Sequence, residues 1–199
     1  MISLLKNGLF GLFLASGAAI AAPETATTAP VEATGLAKYF VGVTLVDQNG
    51  REVDMYRDVI ADHTVVMHSF FAGCSASCPV MMSTLQSVQG RLGERMEREV
   101  RLISITVDPE RDTPAALKEY AQRVHAKPGW LFLTGSPDQV ALALKRIGQY
   151  AAEPADHMDL MIAGNTHTGL WKKIHGMGES RVVADLIVGV ADDKGAAAP

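Results

Sequence analysis

The chain has 199 residues, with 22 acidic and 18 basic side chains, a formal net charge of −4 and 48% apolar residues. That is enough for one domain with a sizeable core and too little for two of ordinary size. No long basic run is present, which argues against nucleic-acid binding, and two cysteines are too few for a disulfide scaffold.

The N-terminal stretch MISLLKNGLFGLFLASGAAIAAPE carries one positive charge, Lys6, then an apolar run from Gly8 to Ile20, then small residues around Ala19-Ile20-Ala21. This is the layout of a secretory signal with its cleavage site. The apolar run is short against the roughly 20 residues a spanning helix needs. Residues 1–21 are therefore expected to be a signal peptide. The protein is expected to be exported to the periplasm, and tethered to the membrane only if that segment is retained. No cysteine lies near the cleavage site, which argues against a lipid anchor. With Lys6 set aside, 17 basic residues face 22 acidic ones, a net of −5. Residues 22–35, APETATTAPVEATG, have no apolar periodicity and read as a flexible tether. One domain is expected over 36–190, followed by a disordered tail over 191–199.

VGVTLVDQNGREVDM alternates apolar and polar residues about Asn49-Gly50, the pattern of two strands joined by a tight turn. TVVMHSFF is a short apolar run rich in β-formers, a buried strand that ends where the cysteines begin. PVMMSTLQSVQGRLGER places Val80, Leu85, Val88 and Leu92 near helical spacing, with Pro79 suited to a first turn that has no N–H bond to lose. VRLISITV is a second core strand. TPAALKEYAQRV is a helix capped by Thr113 with Pro114 behind it. WLFLTG is a third strand, and SPDQVALALKRIGQY a helix capped by Ser136. DLMIAGN and GLWKKIHG read as a closing antiparallel pair, and SRVVADLIVGV as a last helix. The predicted fold is α/β: a mixed central sheet flanked by helices, with an N-terminal β-hairpin. A cysteine pair between the first core strand and its helix is the layout of a thioredoxin-like domain.

Both cysteines lie in FFAGCSASCPV, as Cys74 and Cys78. In helix their Cα atoms stand about 6 Å apart along the axis, at the long end of what a disulfide spans, roughly 4.4 to 6.8 Å. A permanent disulfide, a cycling redox pair and a pair of metal ligands all remain open. An oxidising compartment permits the first two. Three intervening residues rather than two weaken the plain oxidoreductase reading and leave room for a soft ion such as Cu(I). A helix N-terminus is expected to lower a thiol's pKa.

A third ligand would come from the six histidines. His63 and His68 flank or occupy the first core strand, where packing is the commoner role. His125 sits at a helix end, where a cation suits the dipole. His167 and His175 lie in the closing hairpin. His157, just before a strand, sits at a strand start that a thioredoxin-like sheet would place near the cysteines, with Asp156 beside it to orient its ring, and His167 and His175 stay open as alternatives. Met81 and Met82 read as core, although a thioether can ligate Cu(I).

Cys74-Ser75-Ala76-Ser77-Cys78-Pro79, together with ITVDPERDTP at 105–114, FLTGSPDQV at 132–140, Asp156-His157 and LVDQNG, resembles the motifs of the Sco/SenC family. The resemblance spans roughly residues 40 to 190. It implies a thioredoxin fold and one copper ion, Cu(I) or Cu(II), held by Cys74, Cys78 and His157. Asp108 would be a nearby acidic residue. It also implies a metallochaperone for the binuclear copper centre of cytochrome c oxidase, with a copper-receiving partner such as its subunit II. The alternative is a thiol–disulfide oxidoreductase that uses Cys74 and Cys78 as a redox pair on the cysteines of an exported partner. A peroxiredoxin-type peroxidase fits less well, because the residues before Cys74 are Phe71, Ala72 and Gly73. Two features depart from the family's pattern. The stretch from Tyr150 to His157 is short, and Asp159 and Asn165-Thr166-His167 break the family's pattern of an apolar run followed by an Asp-x-x-Gly turn. His167 is therefore a second candidate for the imidazole ligand.

Overall fold

A computed structural model describes residues 35–195, and the expected signal peptide and most of the expected tether lie outside the described residues. The Asn49-Gly50 turn forms as expected: β1 (Thr44–Asp47) pairs antiparallel with β2 (Glu52–Asp54). Gly50 takes φ 80°, a left-handed conformation that suits a residue without a Cβ. The Asp47 carboxylate closes the turn by accepting from the amides of Asn49 and Arg51.

β3 (Thr64–Phe70) leads into the cysteine loop and then α2 (Cys78–Leu92). β4 (Val100–Thr106), α3 (Pro114–Arg123), β5 (Trp130–Thr134) and α4 (Pro137–Arg146) follow. β6 (Leu160–Asn165), β7 (Trp171–His175) and α5 (Ser180–Ala191) complete the order. The predicted caps act as caps: Thr113 Oγ1 accepts from the Ala116 amide and Ser136 Oγ from that of Gln139. Two short elements carried too little pattern to be foreseen. One is the five-residue α1 (Gly35–Tyr39); the other is a wide turn over Met55–Ile60, started by Asp54 accepting from the amides of Tyr56 and Arg57.

The seven strands form one sheet in the order β2-β1-β5-β4-β3-β6-β7. β3, β4 and β5 run parallel, and β1, β6 and the hairpin strands pair antiparallel to their neighbours. β3 lies inside the sheet between β4 and β6 and all seven of its residues are buried, which is why it reads as a largely apolar run. Its alternate residues serve two cores. Val66 and Phe70 pack with Leu85 and Val88 of α2, Leu117 of α3 and Ile187 of α5. Val65 and Met67 pack with Leu144 of α4, Val59 and Phe40. The sheet with helices on both faces is thioredoxin-like. Among the described residues no helix is long and apolar enough to cross a membrane. α5 extends to Ala191, one residue past the expected domain end, and residues 196–199 lie outside the described residues.

Candidate metal centre

The site forms at the C-terminal end of β3, and sheet register explains how residues some 80 positions apart meet there. β6 pairs antiparallel with β3, with His68 opposite Met161. Each step forward along β3 is then a step back from β6, so the segment before β6 runs beside the loop after Phe70. The turn at Pro154–Asp156 delivers His157 in extended conformation to that point. Its Nε2 lies 3.7 Å from the Cys74 sulfur and 3.5 Å from the Cys78 sulfur. Cys74, Cys78 and His157 are the one group of three or more such side chains among the described residues whose ligand atoms converge, all within 4.8 Å of one another.

Both thiols are free. Cys78 is the first residue of α2 and is 1% exposed, whereas Cys74 is half-buried in the loop. The Cys74 amide donates to the Phe71 carbonyl at 3.1 Å, and Ser77 anchors the helix start by accepting from the amides of Val80 and Met81. Pro79 occupies the first turn, as predicted. The expectation that the helix N-terminus lowers the thiol's pKa does not hold for Cys78. Burial pushes this thiol well above its ordinary value, and a hydrogen bond with Cys74 adds to it, outweighing a backbone hydrogen bond from Phe71. The phenol of Tyr120 is pushed up to about 12, first by burial and then by the charges of Cys78 and Cys74. Phe71 meets the His157 ring edge-on at 5.6 Å, walling one side of the site.

Three of the other five histidines have ring nitrogens held by the fold. His68 is 1% exposed, its Nε2 bonded to Ser104 Oγ at 2.7 Å and its Nδ1 to the Ser69 carbonyl at 3.0 Å. Burial lowers its pKa to about 4, so it stays neutral. His167 is not the spare ligand: its Nε2 bonds the Asp62 carbonyl at 3.1 Å, just before β3 begins, at the end of the strand away from the cysteines. His63 lies at that same end, on the carbonyls of Ala61 and Glu97. Met81 and Met82 are core, at 0% and 3% exposed.

The acidic residue that matters in DPERDTP is Asp112 rather than Asp108. Asp112 is 3% exposed, and its Oδ2 accepts from Thr106 Oγ1 at 2.5 Å and from the Ala72 amide at 3.0 Å. It thus ties the loop after β4 to the cysteine loop, and burial raises its pKa. Asp108 instead pairs with exposed Arg111 at 3.1 Å. The sequence signal for Asp112 was its place before the Thr113 cap. Asp156, expected to orient the imidazole, is exposed.

The donor set tests whether a metal fits. Bonds of about 2.3 Å to sulfur and about 2.0 Å to nitrogen place a sulfur and a nitrogen ligand roughly 3.5–3.7 Å apart at angles between tetrahedral and trigonal. The observed sulfur–nitrogen separations are 3.5 and 3.7 Å. Two thiolates and an imidazole suit soft or borderline ions.

Known proteins share this arrangement of chain. An SCO2-like protein of Rickettsia prowazekii is 32% identical over 96 residues, which cover 48% of this chain and 44% of that protein. The structure of yeast Sco1 with copper bound matches with a TM-score of 0.61 and 25% identity, covering 74% of this chain and 88% of that one. BsSco, a member of the Sco family of cytochrome c oxidase assembly proteins in which a disulfide switch was identified, matches with a TM-score of 0.61 over 74% of this chain and 90% of its own; at 24% identity this likeness bears on the fold alone. The match spans less than half the length of the first curated relatives. The SCO1/SenC family profile covers residues 33–170, and the chain belongs to the SCO1/SenC family.

Proposed function

We propose that this protein binds one copper ion through Cys74, Cys78 and His157 and passes it to a copper-receiving protein during assembly of the binuclear copper centre of cytochrome c oxidase. The observation that carries the reading is the approach of His157 Nε2 to both sulfurs, at 3.7 and 3.5 Å, beside a half-buried thiol. Family membership, and the copper in yeast Sco1, support it. The N-terminal pattern supports export to the periplasm. Copper here is cargo. Cys78 and His157 hold it against the fold, and half-buried Cys74 offers the side from which an incoming thiol can take it. Phe71 and the buried Tyr120 limit water at the site. Anaerobic titration of the reduced mature domain with Cu(I) is expected to give one tight copper per chain, lost in Cys74→Ser and in Cys78→Ser. A subunit II copper domain should then remove it. Tight binding that survives either serine variant would overturn the reading.

A second reading rests on the two free thiols, whose sulfurs lie within 4.8 Å of each other. Half-buried Cys74 would attack a partner's disulfide as thiolate, forming a mixed disulfide and releasing the partner's first thiolate. Cys78 would then attack the Cys74 sulfur, releasing the partner's second thiol and leaving a Cys74–Cys78 disulfide. The partner gains two electrons and this protein loses two. Failure of the pair to oxidise in a glutathione redox buffer would remove this reading.

A further inference from the structure

Two buried polar atoms at the site have no hydrogen-bond partner among the described residues: Nδ1 of His157 and Oδ1 of Asp159. They are chemically complementary. Because Nε2 of His157 faces the two sulfurs, the ring can offer that nitrogen's lone pair only if its proton sits on Nδ1. Nδ1–H is then a buried donor, and Oδ1 of Asp159 is a buried acceptor.

Strand geometry places the two on one side. Met161 and Ala163 of β6 belong to the core beneath α2. Alternate residues of an extended chain share a face. Counting back in twos from Met161 gives Asp159 and then His157, whose backbone is itself extended, with φ −62° and ψ 148°. The backbone at Asp159 is fixed, because its carbonyl accepts from the Gly176 amide at 2.7 Å. Asp156, the neighbour in sequence, is exposed and does not fill this role.

We propose that Asp159 is the positioning carboxylate of the metal centre, accepting a hydrogen bond from Nδ1–H of His157 through one bridging water, and so holding Nε2 toward Cys74 and Cys78. This deepens the copper-site reading and rests on it. Histidines that ligate metals commonly donate the other ring N–H to a carboxylate, which fixes tautomer and ring orientation. Asp159 touches neither the cargo nor the sulfurs in this role; it acts through the imidazole.

The test uses the reduced, metal-free protein with 15N-labelled histidine, and reads the His157 ring by NMR in wild type, Asp159→Ala, Asp159→Leu and Asp159→Asn. Wild type is expected to hold the Nδ1–H tautomer. The alanine and leucine variants should shift toward a mixture, and asparagine, which keeps an oxygen acceptor, should restore the wild-type signal. Cu(I) affinity measured by competition with a chromogenic chelator should weaken roughly 10–100-fold in the alanine and leucine variants, and less in asparagine. An unchanged tautomer together with affinity within about twofold of wild type in whichever apolar variant folds would overturn the proposal, being well below the usual cost of losing such a partner. Absence of tight copper in wild type would instead overturn the copper-site reading, and the ring signals would still decide whether Asp159 holds His157.

Discussion

The two ends of β3 both carry imidazoles, and they use them differently. At the end where β3 begins, His63 and His167 spend ring nitrogens on the carbonyls of Ala61, Glu97 and Asp62. In mid-strand His68 spends both, on Ser104 and Ser69. At the end where β3 stops, His157 turns Nε2 to two sulfurs and leaves Nδ1 without a partner among the described residues. A histidine is available to a ligand when the fold does not consume its nitrogens. That difference separates three structural histidines from the candidate ligand.

The comparison can be broken by experiment, and the largest effect concerns protons. Burial holds the Cys78 thiol above its ordinary 9.0, yet a copper ligand must be a thiolate. Each thiol proton displaced costs about tenfold in affinity per unit fall in pH, so Cu(I) binding should weaken by up to about 100-fold per unit while both thiols are protonated. A competition titration from pH 6 to 9 checks this. Affinity that does not change with pH would mean that the thiols are not the ligands.

Next in size is His68. Its pKa falls from 6.5 to about 4 on folding, because burial penalises the charged ring. Between those values the unfolded chain takes up a proton that the folded one refuses. Stability from this group is therefore full above pH 6.5 and is lost as pH falls toward about 4, by about 3 kcal/mol. Urea unfolding at pH 7 and pH 4.5 should show the loss, and a His68→Gln variant should lack that share of it.

Asp112→Ala comes third. It strands the Ala72 amide and the Thr106 hydroxyl, each of which loses its carboxylate partner. A cost of about 1–3 kcal/mol is expected, with faster amide exchange in residues 71–77. The matching change at Asp108, whose partner Arg111 is exposed, should cost under about 1 kcal/mol. Smallest of all, His167→Ala should leave copper affinity within about twofold of wild type, since it lies beyond any coupling distance from the thiols.

Much of this was legible in the sequence because local rules suffice for it. A short, largely apolar run rich in β-formers reads as a buried strand, and TVVMHSF is too short for a buried helix. Asn49-Gly50, Thr113-Pro114 and Ser136-Pro137 mark a turn and two helix starts by their own conformational preferences. The cysteine pair at a strand–helix junction pointed to the fold. Register was not legible: nothing local says that Met161 sits opposite His68, and that pairing is what sets His157, rather than His167, beside the thiols. Burial was not legible either. It makes Asp112 the tie to the cysteine loop in a motif that offers two aspartates, and it raises Cys78 where the helix terminus alone would lower it.

X-ray absorption at the copper edge of the loaded protein, in wild type and His157→Ala, tests the account most directly. Two sulfurs and one imidazole nitrogen around each copper are expected in wild type, with the imidazole signal lost in the variant. The same imidazole scattering in His157→Ala, or a copper shell without two sulfurs in wild type, would contradict it.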